Sequence, residues 1–163
     1  MEFRDKEYFQ AAAERMRQAR GLYSEGRSYA LAMYCAGLAV ECMLRAYRWR
    51  KEPFFEGRHA LLKLLKDSGF LALSDQAMRE KGYNEVEVIR LSAQLRAAAS
   101  DVATLWNNNL RFASEARLKA FIVSINRHLG KKGDPCKANA LDLVNAAQKI
   151  IDRGVLLWKP SGK

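Results

Sequence analysis

With 163 residues, the chain has the length of one ordinary domain and can bury a substantial core. Apolar residues make up 49% of it, which excludes an intrinsically disordered chain. The formal net charge of +10 favours a polyanionic partner and says nothing about the fold.

A first helix is predicted over about residues 5–22, where Tyr8, Ala12, Arg15, Met16 and Ala19 share a face. Tyr23 to Gly26 turns the chain. The stretch Arg27 to Arg50 then carries two apolar stripes at helical spacing. One runs through Leu31, Cys35, Leu38, Cys42, Ala46 and Trp49, the other through Ala30, Met33, Gly37, Val40, Leu44 and Tyr47. A helix apolar on two sides belongs in the middle of a bundle. Glu41 interrupts the apolar run, which argues against a membrane span. It also needs a partner if buried, and Arg15 or Arg111 is the expected one.

Pro53 breaks this helix, since it disfavours helical backbone in the residue before it. A short helix follows from about His59 to Ser68, closed by Gly69, and Ser74 is expected to cap another ending near Gly82. Asn84 and Glu87 form a capping-box pattern that opens a long helix to about Trp106, where Asn107, Asn108 and Asn109 end it. Ser114 is expected to cap a helix to about His128, stopped by Gly130. A last helix is expected over about 136–153, ended by Gly154, with an apolar strap beyond. No stretch alternates strictly, so the expected fold class is all-α: an antiparallel bundle of four or five long helices with additional short ones, in one domain over 1–163.

Residues 1–106 hold 17 Lys/Arg against 14 Asp/Glu, and residues 107–163 hold 11 against 4. Nucleic acid leads the partner classes on that balance, ahead of an anionic membrane surface or an acidic protein. Cys35 and Cys42 lie two turns apart on one helix, too far for a disulfide, and with Cys136 they read as buried thiols in a reducing cytosol. No Cys/His spacing suits a metal, and no cofactor is expected. The start MEFRDKEYFQ has no apolar core of a signal peptide, so a cytoplasmic location is expected.

Several of these pieces occur together in a known family. The second helix carries Ala32-x4-Gly37-Leu38-Ala39-Val40-Glu41-Cys42-Met43-Leu44-Arg45-Ala46. The short third helix reads His59-Ala60-Leu61-Leu62-Lys63-Leu64-Leu65, closing with Asp67-Ser68-Gly69-Phe70. The long helix ends in Trp106-Asn107-Asn108-Asn109-Leu110-Arg111-Phe112. Over about residues 5–112 the chain resembles the HEPN (higher eukaryotes and prokaryotes nucleotide-binding) domain family. Residues 113–158 add a further helix and the final one. The resemblance implies a helical bundle, often a homodimer, that binds RNA or nucleotides in toxin–antitoxin, antiviral or stress systems, frequently beside a nucleotidyltransferase-type protein partner. Ribonuclease members carry an Arg four to six residues before a His. Here Phe54, Pro53 and Glu52 stand in that place before His59, and Val123, Ile122 and Phe121 before His128. A non-catalytic member is therefore the favoured reading. The alternative is a protein–protein interaction or dimerisation module, without contact with a membrane.

Candidate site residues follow from both lines of reasoning. Glu41, His59 and Arg111 are the candidates for catalysis, although His59 also suits a helix start and Glu41 a structural ion pair. Arg45, Arg48, Arg50, Lys51 and Arg58 cluster beside Tyr47 and Trp49, an interleaving of cations and aromatics that suits single-stranded nucleic acid. Asn107, Asn108 and Arg111 could grip phosphates or base edges. Lys131, Lys132 and Lys137 read as a solvated loop.

Overall fold

A computed structural model describes residues 3–53, 55 and 60–158. Among them are seven α-helices and no strand. Four are long: α1 (Asp5–Glu25), α2 (Tyr29–Lys51), α5 (Glu85–Leu105) and α7 (Pro135–Leu157). Three are short: α3 (Leu61–Asp67), α4 (Phe70–Glu80) and α6 (Glu115–Ser124).

Local chemistry explains most of the ends. Gly26 closes α1 in the left-handed conformation, at φ 65°. Ser28 Oγ accepts the Leu31 N–H, and Glu115 Oε1 accepts the Tyr29 N–H at 2.8 Å, so α2 starts under a carboxylate that suits its dipole. Glu52 takes an extended conformation before Pro53 and ends α2. The capping box of Asn84 and Glu87 opens α5, Ser114 caps α6, and Asp134 with Pro135 opens α7.

Three ends differ from the sequence expectation. Helix α4 begins at Phe70, on a left-handed Gly69, and Ser74 is buried inside it. There Ser74 holds Arg153, whose Nε and Nη2 donate to its Oγ and carbonyl at 2.8 and 2.7 Å. Helix α6 stops at Ser124, because Asn126 adopts φ 58° and the Arg127 N–H reaches back to the Ile122 carbonyl, a Schellman-type closure without glycine. Helix α7 runs through Gly154 to Leu157. The glycine is a packing site there. A Cβ on it would lie 2.4 Å from Met43 Sδ, and its carbonyl accepts the Tyr47 hydroxyl at 2.7 Å.

Helix α2 is the axis. Fourteen of its 23 residues are buried, on all sides. Helices α1, α3 and α7 and the turn after α5 pack around it. By length and composition α2 could cross a bilayer, yet most of its apolar stretch is enclosed by the protein itself. The N-terminus of α1 lies beside the C-termini of α2 and α7: Asp5 meets Arg50, and Phe9 stacks on Trp158 at 4.3 Å. Helix α1 therefore runs opposite to both. Asp101 of α5 meets Arg127, whose carbonyl accepts from Asn139 near the start of α7, so α5 is also antiparallel to α7. One cluster of buried side chains spans all seven helices, α4 through Phe70 and Leu71.

Candidate nucleic-acid interface

The cations at the end of α2 have structural partners. Glu41, 2% exposed, accepts the Arg45 Nε–H at 2.7 Å, one turn along its own helix. The pair expected with Arg15 or Arg111 does not form among the described residues; an arginine one turn away reaches the buried carboxylate more directly. The Arg45 and Arg48 guanidinium groups lie 5.7 and 5.5 Å from the Phe55 ring centre, and Arg48 also pairs with Glu52. Arg50 Nε donates to Asp5 Oδ2 at 2.8 Å, and its guanidinium sits 3.3 Å above the Trp158 indole. A guanidinium held on one side by a carboxylate and on another by a ring has less to offer a phosphate.

Lys51 is exposed and donates to the Asp67 carbonyl at 3.2 Å. Of the interleaved aromatics, Trp49 is half-buried and Tyr47 offers no open stacking face. Tyr47 is buried, its hydroxyl is bonded to Gly154, and burial pushes its pKa up to about 12. Arg58 and His59 lie outside the described residues.

The asparagine turn is different. Trp106 ends α5 and lies against Gly37 of α2, where the missing side chain admits the indole; its Nε1–H donates to the Tyr34 carbonyl at 3.1 Å. That anchor fixes the following 3-10 turn, Asn108–Phe112. Asn107 Oδ1 accepts the Asn109 N–H at 2.8 Å, and Leu110 points into the core. Arg111 and Phe112 consequently face outward. Phe112 is 77% exposed, with the Arg111 guanidinium 4.6 Å from its ring centre. Beside them a groove of about 570 Å3 runs between the turn and α6, lined by Asn107, Asn109, Phe112, Arg117 and Phe121 among others.

The site residues thus fall into two groups. Trp106 docks at Tyr34 and Gly37, whereas Arg50 and Lys51 lie at the other end of α2, roughly 20 Å away by helical rise. Asn107, Asn108 and Arg111 lie on one turn, with Asn107 alone of the three in the groove lining; Arg45, Arg48, Arg50 and Lys51 form a separate cluster. Sequence reasoning missed Arg117 and the exposed ring of Phe112. The one signal for them was that Phe112 belongs to no helical stripe and directly precedes the Ala113-Ser114 cap of α6.

Little here supports catalysis. Glu41 is sealed and bonded to Arg45, and Arg111 stacks on Phe112. Burial raises the Cys35, Cys42 and Cys136 thiol pKa values, the last two to about 11, so these are not thiolate nucleophiles near neutral pH. No three His, Cys, Asp or Glu side chains are grouped to hold a metal among the described residues. Compared with known protein families, curated proteins and solved structures, the chain matches none of them.

Proposed function

We propose that this protein is a non-catalytic RNA- or nucleotide-binding bundle of the HEPN kind, working as a cytoplasmic homodimer in a toxin–antitoxin, antiviral or stress-response module. The family part of this reading, with a nucleotidyltransferase-type partner, rests on the resemblance of residues 5–112. The binding part rests on one observation: Arg111 lies on an outward-facing Phe112 beside a groove with Asn107, Asn109 and Arg117 in its walls. An exposed ring offers a face to a base, the amides offer hydrogen bonds, and the two guanidinium groups offer charge to phosphates. The excess of cations over residues 107–163 points the same way.

The test is fluorescence anisotropy with a labelled single-stranded RNA over a range of salt concentrations. Arg111→Ala with Arg117→Ala should weaken binding and lower the log–log salt slope by about 0.7 for each phosphate that is no longer neutralised. Phe112→Ala should cost about 1–3 kcal/mol if one base stacks there. Arg50→Ala should change neither. Absence of RNA binding by the unaltered protein at low salt would refute the reading, and RNA cleavage in the same incubation would refute its non-catalytic part.

A further inference from the structure

A second groove lies away from the asparagine turn, between the end of α2, α4 and the last turn of α7. It encloses about 730 Å3. Leu73, 45% exposed, and Leu156, 59% exposed, supply its apolar surface. Gly69, Ala72 and Ala77 keep the α4 wall low. Two leucines left about half in water forfeit part of their burial, a cost that a bound partner would remove.

The charge around this groove has one sign. Arg50, Lys51, Lys81 and Arg153 line it against Glu80 alone. Arg50 and Arg153 are fixed by Asp5 and Ser74, whereas Lys51 and Lys81 are exposed. Lys51 is held at the Asp67 carbonyl, just before α4, and Lys81 follows its last residue. The two lysines therefore flank the two ends of α4, an 11-residue helix about 16 Å long by helical rise.

We infer that this groove receives an amphipathic helix of a partner protein, about three turns long, apolar on the face turned to Leu73 and Leu156 and carrying carboxylates at both ends. Helix-in-groove docking uses apolar anchors at such spacing, and the end charges set its register. Single-stranded nucleic acid fits less well, because the aromatic side chain lining the groove is the buried Tyr47. A second copy pairing through the same groove fits less well too, because the cations of the two grooves would face each other. The inference is independent of the RNA-binding reading.

The probes are two labelled peptides of about fourteen residues with the same Leu/Ala face, one with Glu at both ends and one with Lys. The acidic peptide should bind the full chain and the basic one should not. Leu73→Asp should weaken the acidic peptide at least about tenfold, as should Lys51→Glu combined with Lys81→Glu, which should also admit the basic peptide. All three positions are exposed, and circular dichroism checks that the variants stay folded. Equal binding of both peptides, no binding of either, or insensitivity to Leu73→Asp overturns the inference. So does displacement of the peptide by RNA, or a self-association in sedimentation that Leu73→Asp abolishes.

Discussion

Replacing Gly37 by Ala sets two physical effects against each other. In a helix interior, Ala is better than Gly by about 1 kcal/mol, so propensity alone predicts a more stable protein. The structure predicts the reverse. A Cβ on Gly37 would lie 1.9 Å from Trp106 Cδ1, 2.1 Å from Cγ and 2.4 Å from Nε1. The indole must retreat by more than an ångström, from a place where it is buried and bonded to the Tyr34 carbonyl. Overpacking costs about 1–3 kcal/mol and the broken hydrogen bond about 1 kcal/mol. Exposing part of the indole costs about 1 kcal/mol more. After the propensity gain, a net destabilisation of about 2–4 kcal/mol is expected. For a chain of this length that is a fall in Tm of about 4–16 °C.

Urea and thermal melts followed by circular dichroism measure the change. Gly21→Ala is the control, because a Cβ there meets nothing within 4 Å; it should stabilise by up to about 1 kcal/mol. Trp106 carries the turn with Arg111 and Phe112, so Gly37→Ala should also weaken RNA binding under conditions where it remains folded. A Gly37→Ala protein as stable as Gly21→Ala would refute the packing of Trp106 on α2.

Other variants probe the buried polar groups. Glu41→Ala should destabilise by about 3 kcal/mol in urea melts, because the largely buried Arg45 guanidinium loses its carboxylate; a change below about 0.5 kcal/mol would show that the pair contributes nothing. The Cys42 and Cys136 pKa values, near 11 when folded against 9.0 for the free group, and the Tyr47 value, near 12 against 10.0, set the alkaline behaviour. Folded pKa values above the unfolded ones mean stability that is intact below pH 9 and lost as pH rises, first through the thiols and then, between pH 10 and 12, through Tyr47. Tyr47→Phe should flatten the upper part of that limb while removing about 1 kcal/mol for the bond to Gly154, readable in melts across pH. All three thiols are buried, so modification by a disulfide reagent at pH 8 should follow the unfolding rate, and rapid labelling of the folded protein would contradict that burial.

Much of the fold is legible in the residues alone. The double stripe of α2 requires neighbours on several sides, and α1, α3 and α7 provide them. Asn84, Ser114 and Gly26 mark helix ends through interactions reaching only three or four residues, which a linear pattern records. Asn126 and Gly154 misled for the opposite reason. A left-handed Asn can end a helix as Gly does, and a Gly in contact with Met43 serves a neighbouring helix rather than its own backbone.

The candidate site was legible as residue types and not as groups. Arg111 with Asn107 and Asn108 emerged from the sequence because these residues are local to one turn. Which cations are already engaged did not, because Arg50 meets Asp5 across 45 positions and Arg153 meets Ser74 across 79. Periodicity and capping act within a turn or two of chain, so the order of residues suffices to set them. The ion pairs of Arg50 with Asp5 and of Arg127 with Asp101, the seat of Trp106 on Gly37 and the groove beside α4 arise between segments far apart in that order, and they exist only once the helices have packed.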